Sequence, residues 1–199
     1  MKIIRDENCP ACFFTENRKH KYLFEISGQE AILHTKTDKY LQQAIDEFIF
    51  YSGFIVLIKD AKDGILLERE VATQLHKIAK IQPSQFYISE QKLKDCKKWI
   101  KSPQDIFVPI TISEDGKTIA LDGHTRIRAA LDLGYDSIFV YEEETGKYIF
   151  DFADETMRRG INCVADMEII SAEEYQEKWH KFCDDFFDAL GNLENANGG

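Results

Sequence analysis

The sequence has few of the features that mark membrane, secreted or low-complexity proteins. Only 4 of its 199 residues are Pro and 11 are Gly, too few for a collagen-like or linker-rich chain. No apolar run approaches the roughly 20 residues of a membrane-spanning helix, and residues 1–14 lack the apolar core of a signal peptide. Five Cys form an odd and sparse set for a disulfide scaffold. These absences predict a cytoplasmic protein with reduced thiols and no membrane association.

Positive charge is also in deficit, and the formal net charge is −10. Non-specific affinity for nucleic acid comes mainly from Lys and Arg that neutralise phosphates. We therefore do not expect DNA as a partner. Residues 76–101 are an exception because they hold seven lysines and two acids. This segment is either a solvated helix face or a phosphate-binding patch.

Residues 1–72 have the pattern of a small α+β module. Alternating and helical hydrophobic spacing, separated by turn residues, predicts its elements. They are strands at 22–26 and 31–34, a helix within 38–51, and a hairpin of 54–58 with 65–67.

Residues 73–190 form the second predicted unit, and residues 191–199 a disordered tail. The predicted elements follow from turn residues and helix caps. They are strands at 76–81, 108–112, 117–121, 137–141 and 167–170, and helices at 89–100, 123–133 and 152–159. Ser171 opens a capping box for a long C-terminal helix with an aromatic stripe. The stripe predicts core packing or an interface, and a homodimer through this helix is one arrangement that it allows.

The sequence around Asp122 predicts a turn from a strand to a helix. Gly123 permits close approach, and the first N–H groups of a helix are free to bind an anion. Thr125 adds a hydroxyl, Arg126 a bidentate cation and His124 a ring N–H. Asp122 either caps the helix or holds a divalent cation such as Mg²⁺ beside a phosphate. An ordinary capped helix and an anion site both remain open on spacing alone.

The segment 74–145 resembles the ParB/sulfiredoxin superfamily. ParB members carry a Gly-Glu-Arg-Arg-x-Arg-Ala motif after a strand, matched here by Gly123, Arg126, Arg128 and Ala129. The resemblance implies a ParB/sulfiredoxin-like α+β fold that binds a nucleotide or a phosphorylated small molecule. The ligand-binding residues would be 123–126, with ATP, ADP or CTP as candidate ligands.

Within the superfamily, the motif is closest to that of the free-serine kinases, which have Asp-Gly-x-x-Arg before the helix. Their general base is a Glu in an earlier loop, where this chain has Ser84 and Gln85, and Glu90 is the nearest carboxylate. The candidate catalytic residues are therefore Asp122, His124 and Glu90. His124 stands where sulfiredoxin needs a reactive Cys, and no helix-turn-helix module of the ParB partition proteins follows.

Cys9 and Cys12 have the spacing of half a zinc site or of a redox pair. No second pair follows, so we expect two ordinary thiols and no zinc. Three functions follow from the sequence. The first is binding of a phosphorylated ligand, with Mg²⁺-dependent phosphoryl transfer or hydrolysis as its enzymatic form. The others are a non-catalytic regulatory protein and a ParB-like DNA-associated protein or nuclease.

Overall fold

The computed structural model describes residues 2–5, 12–17 and 20–197, and side chains from 20 to 189. The protein is α+β, with a six-stranded sheet, a five-stranded sheet and a two-stranded sheet. No helix in these residues is long and apolar enough to cross a membrane. The three Cys whose side chains are described, Cys96, Cys163 and Cys183, are free thiols.

The six-stranded sheet follows the order of the chain. Its strands are β1 (Lys2–Arg5), β2 (Cys12–Asn17), β3 (His20–Ser27), β4 (Glu30–Thr35), β5 (Leu57–Asp60) and β6 (Ile65–Glu68). Helix α1 (Leu41–Tyr51) connects β4 to β5, which are parallel, while every other neighbouring pair is antiparallel. The predicted strands, helix and hairpin of the first unit are confirmed, with shifted ends.

Helix α1 packs on this sheet through the apolar face predicted by its spacing. Ala44, Ile45 and Phe48 are buried, and the Phe48 ring stacks on Phe24 with centroids 4.0 Å apart. The last two residues of the helix, Phe50 and Tyr51, are exposed. They lie outside the buried stripe of α1, so their rings remain outside the core.

The predicted strand at 54–58 begins only at Leu57. The residues before it leave the sheet because Phe54 stacks on Phe107 of the second unit, with centroids 4.7 Å apart and rings 3° from parallel. Arg69 donates to the carbonyl of Ile55 at 2.7 Å and also to that of Gly53. This segment thus joins the two units, whose side chains share one core.

The second unit is built on the five-stranded sheet, in the order β7-β12-β10-β11-β8. Strands β9 and β13 form the small parallel sheet. The strands are β7 (Thr73–Lys77), β8 (Ile81–Gln82), β9 (Tyr87–Ser89), β10 (Phe107–Ile112), β11 (Thr118–Ala120), β12 (Ser137–Glu142) and β13 (Glu168–Ile170). The helices are α2 (Glu90–Trp99), α3 (His124–Asp132) and α4 (Tyr148–Arg158).

Local turn and cap signals place most of these elements as predicted. Ser89 caps α2 by accepting the N–H of Lys92, and Gly134 follows α3 with φ +85°. Two predictions were wrong in extent. The strand expected at 76–81 is divided by a 3₁₀ turn at Ile78–Lys80, and the helix expected at 152–159 begins at Tyr148.

The C-terminal helix begins with the predicted capping box. Ser171 Oγ accepts the Glu174 N–H at 3.1 Å, and the Glu174 carboxylate accepts the Ser171 N–H at 3.2 Å. Helix α5 (Ala172–Tyr175) continues through a π-helical turn into α6 (Lys181–Asn197). The helix runs through residues 191–197, which the sequence predicts as part of a disordered tail. One glycine in a segment of Leu, Glu, Ala and Asn does not end the helix.

The aromatic stripe of this helix is core packing, as predicted. Phe152 of α4 is its centre, with centroid distances of 4.7 Å to Phe186, 5.6 Å to Phe182 and 5.8 Å to Trp179. The Arg159 guanidinium lies 4.0 Å from the centre of the Phe86 ring. The C-terminal helix is therefore fixed against α4 and the loop before β9.

Candidate functional site

The predicted strand-to-helix turn lies between β11 and α3. Gly123 has φ +80°, a conformation that strains residues with a Cβ. A Cβ here would also lie 3.0 Å from the Arg126 guanidinium and 3.1 Å from Val108. The backbone angle therefore favours glycine at this position, and an added Cβ would also press on Arg126 and Val108.

The first turn of α3 leaves backbone donors free. Ile127 is the first residue whose N–H bonds back into the turn, to the Gly123 carbonyl at 2.9 Å. Among the described residues, none accepts a hydrogen bond from the N–H groups of residues 124–126. N–H groups at the positive end of a helix dipole are able to bind an anion.

Arg126 folds back over this turn. One guanidinium nitrogen donates to the Phe107 carbonyl at 2.7 Å, and another donates to Asp122 at 3.0 Å. These bonds use two of the five N–H donors of an arginine. About a fifth of the side chain remains exposed, so Arg126 both fixes the turn and keeps donors beside it.

Asp122 lies beside this turn and is accessible to water, since 79% of its side chain is exposed. The surrounding protein tends to raise its pKa. Arg126 and the Gly123 N–H more than offset this effect and hold the pKa below its usual value. Asp122 therefore remains a carboxylate at neutral pH and repels an anion unless a cation neutralises it.

His124 differs from its predicted role as a general donor. Its side chain is 4% exposed, and Nε2 accepts the backbone N–H of Ser84 at 3.0 Å. Burial lowers the pKa of His124 to about 4, more than Asp122 raises it. The ring is therefore neutral at pH 7 with its proton on Nδ1, and only that nitrogen can donate.

The turn opens into a cleft of about 750 Å³ between the two units. Gly123, His124, Thr125 and Arg126 line it together with Asp122. The β3–β4 turn and the end of α1 contribute the wall from the first unit, at Ser27, Gly28, Tyr51 and Ser52. The predicted ligand residues therefore line one cleft. The sequence placed the site within residues 73–190 and did not predict the wall that the first unit contributes.

Helix α2 and the residues after it form another wall of the same cleft, which carries Asp95 and Asp105 as well as lysines. Lys92, Cys96 and Trp99 lie on one helical face and line the cleft, as do Lys98 and Lys101. Lys98 pairs with Asp95 at 2.6 Å, whereas Lys92 and Lys101 form no ion pair with any described carboxylate. Lys92, Lys98 and Lys101 line the cleft, whereas the other four lysines of residues 76–101 do not. The prediction of a phosphate-binding patch therefore remains open for these three lysines only.

Glu90 does not join the site. It lies in the first turn of α2, pairs with Lys94 at 2.8 Å and is not part of the cleft wall. The Glu90 side chain is exposed to solvent, because the buried side of α2 is the one that carries Leu93. Ser84, at the position of the expected base, is buried and donates to the Ala120 carbonyl at 2.7 Å.

Asp122 is the one carboxylate among the turn residues 122–126. No group of three or more His, Cys, Asp or Glu side chains is placed to hold a metal within the part of the chain with described side chains. Mg²⁺ is often held by one or two carboxylates with substrate phosphates and water, so a single Asp fits Mg²⁺ that arrives with a nucleotide. Cys9 lies outside the described residues, and of Cys12 only the backbone is described, in β2.

Comparison with known proteins provides no family for this chain. No protein-family model matches it, and no curated protein matches it. Among solved structures, protein Atu1540 from Agrobacterium tumefaciens is similar, with 16% sequence identity and a TM-score of 0.37. The alignment covers 50% of this chain and 63% of that chain. The function must therefore be argued from the geometry of the cleft.

Sequence reasoning missed the residues that tertiary packing brings to the cleft. Tyr51 is the last residue of α1 in the first unit, and no local signal in the sequence connects it with the turn at 122–126. The face of α2 could have been found, because Lys92, Cys96 and Trp99 follow the spacing of one helical side.

Proposed function

We propose that this protein binds a nucleotide or another phosphorylated small molecule, with a phosphate at the N-terminus of α3. The observation that supports this function is the set of free N–H groups at residues 124–126, which line a cleft of about 750 Å³. That volume lies within the roughly 300–1,000 Å³ of small-molecule sites. Because Gly123 has no Cβ, the Arg126 guanidinium can lie against the turn, beside the proposed phosphate position.

Side chains around the turn supplement the backbone donors. Thr125 supplies a hydroxyl, and Arg126 supplies charge and its remaining N–H groups. Lys92 on α2 and Lys101 just after it, which pair with no described carboxylate, add positive charge to the cleft. The lining carries four cationic side chains against Asp95, Asp105 and Asp122, so its formal charge is +1 although that of the whole chain is −10.

Mg²⁺ is the proposed companion of the ligand. The Asp122 carboxylate and the phosphate are both negatively charged and would repel each other at this distance. A divalent cation between them removes this repulsion. Asp122 would provide one oxygen to the ion, and phosphate and water the others. ATP, ADP and CTP are the nucleotides we propose to test.

Binding is the form of this function that the geometry supports best. A general base near the turn is not evident among the described cleft residues, because Asp122 has a lowered pKa and His124 uses Nε2 to accept from Ser84. Phosphoryl transfer or hydrolysis would depend on positioning and metal ions alone. A regulatory ligand-binding protein is the second candidate, favoured by the same lack of a base.

We also propose a relationship to the ParB/sulfiredoxin superfamily for residues 74–145. It is supported by the order of strand, loop, α2, hairpin, α3 and strand, together with the glycine and arginine at the turn. The proposed site does not depend on this relationship.

Titration of nucleotides with a matched pair of variants tests the proposed function. Trp99 lines the cleft, so its fluorescence should change when ATP with Mg²⁺ binds. Arg126→Ala should weaken binding by about 1.5–3 kcal/mol, the range for a hydrogen bond to a charged group. Arg128→Ala is the control, because Arg128 bonds to Asp132 and to carbonyls of the loop before β13.

Two results would refute the proposal. One is the absence of binding for ATP, ADP and CTP at millimolar concentration, with and without Mg²⁺. The other is equal weakening by both arginine variants, which would indicate loss of the fold around α3 rather than loss of a ligand contact.

A further inference from the structure

Tyr51 is an exposed aromatic side chain in the wall of the cleft. It is the last residue of α1, and 60% of its surface is accessible. The neighbouring Phe50 is even more exposed, at 78%, but does not line the cleft. The two rings meet edge to face, with centroids 5.0 Å apart at an angle of 82°. Tyr51 therefore has ring surface available on the cleft side of a restrained pair.

The position of Tyr51 relative to the turn is fixed by packing. Ser52 ends α1 through a bond from its N–H to the Ile49 carbonyl. Phe54 is buried by stacking on Phe107, whose carbonyl accepts from Arg126. Tyr51 is thus three residues from Phe54, and Phe54 packs on Phe107, the residue whose carbonyl binds Arg126 at the turn. A site formed in this way loses little conformational freedom when a ligand binds.

An exposed tyrosine beside an anion site fits a ligand with a planar ring. Nucleobases stack on aromatic side chains, and this stacking tolerates any base because every base has a π face. The cleft volume exceeds what a phosphate group alone fills, so space remains for a second part of the ligand. A sugar phosphate or inorganic polyphosphate would leave the ring of Tyr51 without a partner.

We propose that the ligand is a nucleotide whose base stacks on Tyr51 while its phosphates bind at the N-terminus of α3. The first unit, residues 1–72, then supplies the base-binding wall, and the second unit supplies the phosphate site. This inference rests on the proposed function, and it narrows the ligand from phosphorylated small molecules in general to those with an aromatic base.

Two probes separate the base contact from the phosphate contact. ATP carries both parts of the proposed ligand, whereas inorganic tripolyphosphate carries only the phosphates. Tyr51→Ala should weaken ATP binding by about tenfold, which corresponds to about 1.4 kcal/mol, within the range of base stacking. The same variant should change tripolyphosphate binding by less than about twofold. Tyr51→Phe keeps a ring and should bind ATP like the unmodified protein.

Phe50→Ala is the matched control, since it removes an exposed ring from the same helix end without opening the cleft. It should leave tripolyphosphate binding unchanged and weaken ATP binding by less than about twofold, because Tyr51 loses only its edge-to-face neighbour and keeps its own ring. Calorimetric titration of each variant with each probe, with Mg²⁺ present, gives the comparison, and thermal unfolding confirms that the variants are folded.

Each outcome decides the inference. ATP binding that is insensitive to Tyr51→Ala overturns the stacking role and leaves the phosphate site intact. Equal weakening of ATP and tripolyphosphate also overturns it, because Tyr51 would then act on the phosphate site or on packing. If neither probe binds the unmodified protein, the proposed function fails and the inference fails with it.

Discussion

The buried state of His124 makes a quantitative prediction about acid stability. The ordinary His pKa of about 6.5 applies to the unfolded chain, and the folded value is about 4. Between these values the unfolded chain binds the proton and the folded chain does not. The free energy of unfolding should therefore fall as the pH drops from 6.5 to 4, and the full contribution of the neutral ring is present above 6.5.

The size of this effect follows from the difference in pKa. A difference of about 2.5 units at about 1.36 kcal/mol each gives roughly 3 kcal/mol between pH 7 and pH 4. Carboxylates titrate in the same range, so the measured quantity is the difference between the protein and His124→Gln. Gln keeps an acceptor for the Ser84 N–H but does not gain a proton.

Urea unfolding at a series of pH values, without added metal, checks this prediction. His124→Gln should be less stable at pH 7 and should lose less stability on acidification, so the two curves approach each other towards pH 4. His76→Gln is the control. Its pKa is also lowered by burial, but the ring is only partly buried, so its effect should be smaller. Parallel curves for the protein and His124→Gln would refute the buried neutral ring.

Three further changes have defined outcomes. Phe152→Ala removes the ring at the centre of the aromatic cluster and should cost about 3–5 kcal/mol in urea unfolding; a loss below about 1 kcal/mol would mean that the C-terminal helix is not docked. Gly123→Ala should cost roughly 1–2 kcal/mol of backbone strain and also block ATP in a fluorescence titration. Gly134→Ala, with φ +85° and open space, should show the strain alone. Asp122→Asn should abolish the Mg²⁺ dependence of ATP binding, and an unchanged dependence would exclude Asp122 as the ligand of the ion.

Elements with local signals were predictable from the sequence. Ser89 and Ser171 cap their helices through bonds to N–H groups three residues away, and such bonds depend only on nearby residues. Gly116, with φ +81°, closes the turn between β10 and β11. These contacts need no knowledge of the rest of the chain.

The candidate site was predictable only in part. The turn at 122–126 could be placed because strand, glycine and helix follow one another directly. The role of His124 could not, because its burial against Ser84 joins residues 40 positions apart. Glu90 was expected near the turn from sequence proximity to the loop, but α2 directs it towards Lys94. Tyr51 reaches the cleft only through the packing of the two units.

A crystal structure with ATP and Mg²⁺ would show directly whether a phosphate binds at α3. We expect phosphate density at the N-terminus of this helix, within hydrogen-bonding distance of the N–H groups of residues 124–126 and of Arg126. Phosphate density anywhere else on the protein, with Arg126 still bonded only to Asp122 and the Phe107 carbonyl, would contradict this expectation.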